Sequence, residues 1–127
     1  MRVYLPMNRV ELADFLQSRN FSATSLIAPT PRVAQEYGVT ELEELEYAAL
    51  EIARTKSEHD GLELIAAFEL VQHLSSDVSE IDAGVLQDTF TLEWSELVAL
   101  YRITSSDEEL EWYDASEATT VLNVGSN

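Results

Sequence analysis

Five side chains have both the chemistry and the placement to build a site: Arg2, Glu46, Tyr47, Trp112 and Tyr113. A guanidinium, a carboxylate and a phenol supply a fixed cation, a general base and a proton donor, the set that a small hydrolase or lyase needs. With Arg2 on a first strand, Glu46 on a packed helix and Tyr113 on a last strand, the three converge at one end of a sheet. Such a site requires a cavity of roughly 300 Å³ or more and a buried Glu46 whose pKa is raised by desolvation. Trp112 and Tyr113 also support a different chemistry. Neighbours on a strand point to opposite faces, so one enters the core while the other is left as an aromatic anchor for a partner.

Most other chemistry lacks its residues. The four glycines, at 38, 61, 84 and 125, are isolated from one another, which excludes the clustered glycines of a phosphate-binding loop or a dinucleotide fingerprint. There is no G-x-S-x-G nucleophile elbow and no cysteine for a thiolate, a disulfide or a metal. His59 and His73 bracket a strand expected over residues 62–71, which holds them at least ~30 Å apart at roughly 3.3 Å per residue. They cannot share a metal ion within one chain. Glu58-His59-Asp60 reads as a solvated loop. Glu43 and Glu46 share a helix face at i and i+3, as most glutamates on such a helix do. The sequence assigns no catalytic residue, no metal and no cofactor, and leans away from an enzyme.

Charge narrows the partners. The 127 residues carry 24 acids against seven lysines and arginines, a net charge of −17. Residues 1–40 sum to +1 and residues 41–127 to −18. A field of that sign repels phosphate backbones and anionic membranes, so neither nucleic acid nor membrane is an expected partner. A protein with a basic surface is, and a homodimer is compatible with the same reading. The acids are interleaved with apolar residues, as on a solvated face rather than in a disordered tail. The start MRVYLPMNRVEL has no apolar core of a signal peptide, and no uncharged run approaches the ~20 residues of a membrane span. A reducing cytoplasm is the expected location.

The elements that must position these residues follow from pattern. Residues 40–56, TELEELEYAALEIARTK, read as a long helix with Thr40 as N-cap and Glu43 closing a capping box. Leu42, Leu45, Ala49, Ile52 and Ala53 form its inner stripe, and Gly61 is the stop. RVYL at 2–5 is a strand ended by Pro6. Asn8 caps a helix with Glu11 at the capping-box position. Ser25 to Ala28 reads as a short edge strand, and Thr30-Pro31 starts a two-turn helix that stops at Gly38. Residues 62–71 form an interior strand, 72–82 a polar connection and 84–92 a second long strand. A turn at 93–96 leads into a strand to Ile103, Ser105-Ser106-Asp107 makes a turn, and 110–115 is the last strand. This order predicts an α+β fold: a single domain over 1–116, a mixed or antiparallel sheet of four to five strands, helices packed on one face, and a loose tail over 117–127 with room for one helical turn before Gly125.

Three segments carry a resemblance. The opening MRVYLP (Arg2, Val3, Tyr4, Leu5, Pro6), the helix ELEYAAL (Glu44, Leu45, Glu46, Tyr47, Ala48, Ala49, Leu50) and the late LEWYDASE (Leu110, Trp112, Tyr113) resemble a family of small actinobacterial proteins of unknown function. The Thr30-Pro31 helix start is similar as well. Members of that family close on an L-W-Y-A strand followed by Gln-Glu, where this chain has Ser116-Glu117, and this chain lacks the helix they carry between Thr104 and Leu110. The resemblance implies an α+β cytoplasmic domain and supplies no activity.

Function is therefore open at the level of sequence. The leading expectation is a non-enzymatic acidic interaction or regulatory module, with Arg2, Glu46, Tyr47, Trp112 and Tyr113 as binding residues. It requires an apolar patch rimmed by acids. The alternatives are the carboxylate–tyrosine hydrolase or lyase and an acidic mimic of nucleic acid, which needs carboxylates arrayed at phosphate-like spacing.

Overall fold

The computed structural model describes residues 1–70, 78–104 and 110–123. The first strand, β1 (Arg2–Met7), alternates in a way that sets up two cores: Val3, Leu5 and Met7 face one side of the sheet and Tyr4 the other. The strand runs through Pro6 instead of ending there. Its register with the next strand, β2 (Asn20–Ile27), is confined to Tyr4 opposite Ile27. At its Pro6 end, then, there is no ladder on that side for the missing N–H to break.

Between them, α1 (Arg9–Ser18) starts on the expected reciprocal cap: the Asn8 side chain accepts from Glu11 N–H at 2.8 Å, and Glu11 accepts from Asn8 N–H at 2.9 Å. Thr30 caps α2 (Pro31–Tyr37), accepting from Val33 N–H at 3.3 Å, and Gly38 ends it in the left-handed conformation. The long helix α3 (Leu42–Asp60) is displaced from expectation at both ends. Glu41, not Thr40, is its N-cap, and no side chain caps it there. Glu58, His59 and Asp60 belong to its last turn rather than to a loop, and Gly61 stops it.

The remaining strands are β3 (Leu64–Glu69), β4 (Ser79–Asp82), β5 (Val85–Glu93), β6 (Leu97–Ile103) and β7 (Leu110–Asp114); a short 3-10 turn at Trp94–Glu96 feeds β6. The turn-then-strand reading of 93–103 holds. One antiparallel sheet results, in the order β4-β5-β2-β1-β3-β6-β7. Among the described residues it has seven strands rather than four to five. The two unforeseen contributions are β4, whose four residues SEID carry one apolar side chain, and the full length of β2, which is interior rather than an edge fragment. The polar Ser22 and Thr24 of β2 are exposed on its less covered half, which disguised it. Residues 64–68 are buried on both faces, as an interior strand requires. Val71, His73 and the Ser105–Asp107 turn lie outside the described residues.

Helices cover both faces, not one. On the Val3–Leu5–Met7 side, Leu12 and Phe15 of α1 pack into the larger core, and Phe15 sits 4.9 to 5.9 Å from the rings of Trp94, Phe68 and Phe21. The segment expected to be a loose tail contributes here. Residues Ala118–Asn123 form α4, whose Ala118 and Val121 are buried against the same core. Arg9 fastens it, donating to the carbonyls of Val121 and Leu122 at 3.2 and 2.9 Å and pairing with Glu63. On the opposite face, α3 lays Ala49 and Ala53 on Tyr4, Ile27, Ile65, Ala67, Val85 and Ala99. Small side chains on both surfaces let this helix lie close to the sheet, and α2 rests against it.

Candidate functional site

Arg2 and Glu46 both act on the phenols of Tyr4 and Tyr101, not on Tyr113. Arg2 stands on β1 opposite Glu69 of β3. Its Nε lies 3.5 Å from Glu69 Oε2, is buried, and aims its hydrogen at no acceptor. The next residue on that face, Tyr4, is buried beneath α3, and Tyr101 of β6 lies close by. The Tyr4 phenol is pushed well up, first by burial, then by Tyr101 and Glu46, with Arg2 pulling the other way. Tyr101 is raised by burial, lowered by Arg2 and raised by Glu46. One guanidinium and one carboxylate thus act on the same two phenols, and both phenols stay protonated at neutral pH. They are hydrogen-bond donors, not bases. Glu46 is half-buried, short of the buried carboxylate that acid–base chemistry asks of it.

Trp112 and Tyr113 part company across β7. Trp112 is paired with Tyr101 and remains 60% exposed on the α3 side. Tyr113 is paired with Leu100 and packs against the larger core on the other face. Its hydroxyl donates to Glu111 Oε1 at 3.0 Å, and Glu111 also accepts from Arg102 Nε at 2.9 Å. These two bonds hold the Glu111 carboxyl below its ordinary range, that from Tyr113 foremost. Tyr113 therefore belongs to a surface hydrogen-bonded triad and does not join Arg2 and Glu46.

Tyr47 marks a separate feature. It is 64% exposed on the outer face of α3, where the end of α2 and the link to α3 leave a cavity of about 410 Å³. Tyr37, Val39, Tyr47 and Ala48 form its apolar lining, and Glu43, Glu44 and Glu51 its rim. Val39 is folded back by its N–H, which donates to Ala34 O at 3.1 Å past the left-handed Gly38. Glu51 has Arg54 at 4.0 Å, whereas no basic side chain pairs with Glu43 or Glu44 among the described residues. Half-exposed Tyr37 also lines a second cavity of about 470 Å³, floored by Ile52, Ile81 and Val85. Tyr37, Val39 and Tyr101 were not singled out from sequence. The packing of α2 on α3 places the first two, and register places the third.

No helix among the described residues is long and apolar enough to cross a membrane. No curated protein and no solved structure matches the chain. A family match does exist over residues 1–104. It spans β1 to β6 and α1 to α3, hence the Arg2–Tyr4–Glu46–Tyr101 group and the α2/α3 groove, and stops before Trp112 and Tyr113. The chain belongs to that family, the Family of unknown function (DUF6912).

Proposed function

We propose that the protein is a non-enzymatic interaction module whose working surface is the groove between α2 and α3, and that its partner is a protein segment bearing an apolar anchor flanked by lysines or arginines. The observation that carries this reading is the groove itself: an apolar cavity with Tyr37 and Tyr47 half or more exposed, edged by Glu43 and Glu44, which have no basic partner among the described residues. Exposed aromatics in a concave site are the usual anchors of an interface, and an acidic rim selects basic partners and speeds their approach. The same field, from a net charge of −17, argues against nucleic acid and anionic membranes. Of the residues assigned from sequence, Tyr47 is the direct contact. Arg2 and Glu46 act on the phenols of Tyr4 and Tyr101 instead, and Trp112 and Tyr113 do not line the groove. The absence of cysteine favours a cytoplasmic setting, and the MRVYLP and ELEYAAL segments favour an actinobacterial one.

The test is selection of displayed random 16-residue peptides on the immobilised protein. Enriched sequences should combine one aromatic or aliphatic anchor with Lys or Arg. A synthetic peptide made from them should lose at least ~30-fold in affinity on Tyr47→Ala, the size of a hot-spot loss. Peptides that are neither basic nor sensitive to Tyr47→Ala refute the assignment.

The small-enzyme reading has one observation behind it, the convergence of Arg2, Tyr4, Glu46 and Tyr101. With both phenols protonated, Glu46 is the one base in that group. A Glu46→Gln variant that retains every binding property of the protein supports the interaction module over the enzyme.

A further inference from the structure

The groove at Tyr47 is half of a longer trough. Tyr37 lines both cavities. One extends along α3 through Glu43, Tyr47 and Glu51, the other through Ile52, Lys56 and His59. From Glu43 to Asp60 the helix runs about 26 Å at 1.5 Å per residue. The two floors, centred near Ala48 and Lys56, are about 12 Å apart on the same scale.

The ends differ in charge. The upper end is rimmed by Glu43, Glu44 and Glu51, two of which have no basic partner among the described residues. At the lower end two carboxylates are matched, Asp60 by Lys56 at 3.8 Å and Glu36 by Arg32 at 3.3 Å, and Asp82 alone has no basic partner among the described residues. Its floor is apolar, with Ile81 52% exposed beside Ile52 and Val85. The walls are largely helix faces made of side chains. An extended peptide would leave its backbone N–H and C=O groups unpaired against them, whereas a helix satisfies its own.

Resting on the proposed groove, we infer that the trough takes one amphipathic helix of a partner protein, about 18 residues long and polarised. Its basic residues lie at the end that meets Glu43, Glu44 and Glu51. It carries two apolar anchors about eight residues apart, the second seated on Ile52, Ile81 and Val85. The greater excess of unmatched carboxylates at that end, Glu43 and Glu44 against Asp82 alone at the other, sets the direction in which the helix lies.

The test uses defined probes. Two 18-residue helical peptides place leucines at positions 5 and 13 and confine four lysines to the N-terminal half in one and the C-terminal half in the other. Nine-residue basic halves, each with one leucine, serve as references, and dissociation constants are read by fluorescence anisotropy. One long peptide should bind at least ~10-fold tighter than its half, the worth of about one seated side chain. Ile81→Glu, at an exposed position, should erase that gain and leave the half-length peptide unaffected. Tyr47→Ala should weaken both. A long peptide that binds no better than its half, or that ignores Ile81→Glu, overturns the trough while the groove at Tyr47 stands. Equal binding of both long peptides overturns its polarity. Binding of no peptide, or indifference of all to Tyr47→Ala, overturns the groove and the trough together.

Discussion

Gly84 is the residue on which the wall of the groove depends most sharply. It turns the chain between β4 and β5 at φ +80°. Its carbonyl accepts from Ala28 N–H at 2.8 Å, and its own N–H donates to Glu80 Oε2 at 2.8 Å. That carboxylate also accepts from Thr30 Oγ1, the cap of α2. A Cβ at position 84 would lie 2.9 Å from Val33 Cγ2, 3.2 Å from the Ala28 carbonyl oxygen and 3.2 Å from Ile52 Cδ1. Gly84→Ala then meets two costs: about 1–2 kcal/mol for the left-handed backbone and about 1–2 kcal/mol for overpacking against a backbone oxygen and two branched side chains. Their sum is about 3 kcal/mol. An unfolding entropy of about 2.1 cal/mol/K per residue, over 127 residues, converts this to a fall in Tm of about 11 °C. Gly38→Ala is the control. Its φ is +66° with nothing near the added Cβ, so it should cost the backbone share alone, about 4–7 °C. Thermal unfolding followed by circular dichroism at 222 nm reads both. Equal shifts for the two variants would refute the claim that close approach, and not backbone conformation alone, reserves position 84 for glycine.

Three further outcomes follow from the same geometry. Arg9→Ala removes the bonds that hold α4 and should cost about 2 kcal/mol; amide exchange in Ala118–Asn123 should accelerate ahead of the rest, and unchanged exchange there would show that burial of Ala118 and Val121 suffices. Burial raises the folded-state pKa of Tyr4, so its stabilising contribution is whole below the ordinary phenol value of about 10 and is lost as pH rises beyond it; Tyr4→Phe should flatten the alkaline limb of a stability–pH curve, and an unaltered limb would contradict the assignment. Glu111 is held low first by its bond from Tyr113 and then by Arg102, and Asp114 by its bonds from Ser116. The stability they confer is present above the ordinary carboxylate range of about 4 and lost as pH falls through their folded values. Glu111→Gln with Asp114→Asn should therefore reduce the slope of denaturation below pH 4.5, and an identical acid limb would rule the linkage out.

The parts of the fold that were legible in sequence are those decided locally. Asn8 with Glu11, Thr30 with Pro31, and Gly38 and Gly61 as stops each depend on backbone groups within four residues, and each was readable from spacing. What was misread depends on partners distant in the chain. Nothing in NFSATSLI reveals that β1 and β5 flank it. ATTVLN allows a helical turn but does not announce a packed helix, because its burial is supplied by α1 and its carbonyls are satisfied by Arg9, more than a hundred residues away. Grouping Tyr113 with Arg2 and Glu46 misjudged parity. In an antiparallel pair, opposite residues share a face, and Tyr101 is opposite Trp112, so Tyr113 had to face the other side. The register of β6 with β7 decides that, and a sequence does not print a register. Tyr47 was readable as an off-stripe aromatic. The groove around it was not, since half its apolar lining comes from Tyr37 and Val39, which only the packing of α2 on α3 brings there.

The glutamates of the first turns of α3 have two explanations that make opposite predictions. Negative charge at a helix N-terminus is stabilising by about 0.3–1 kcal/mol per residue, and Glu43 and Glu44 both lie in that first turn. The helix has no side-chain cap at Glu41, which raises the value of such charge. If this is their whole purpose, Glu43→Gln with Glu44→Gln should lower Tm by a few degrees, about 1–2 kcal/mol in total, and leave peptide binding untouched. If they also form the rim that selects basic partners, the same double variant should lose affinity for a lysine-bearing peptide at low salt and converge on the parent protein near 0.5 M salt, where screening extends over only a few ångströms. Tyr47 favours the second account. A helix start serving stability alone has no reason to leave Tyr47 64% exposed in an apolar cavity beside two carboxylates that have no basic partner among the described residues. A salt-independent affinity for the parent protein would return both glutamates to the helix dipole alone.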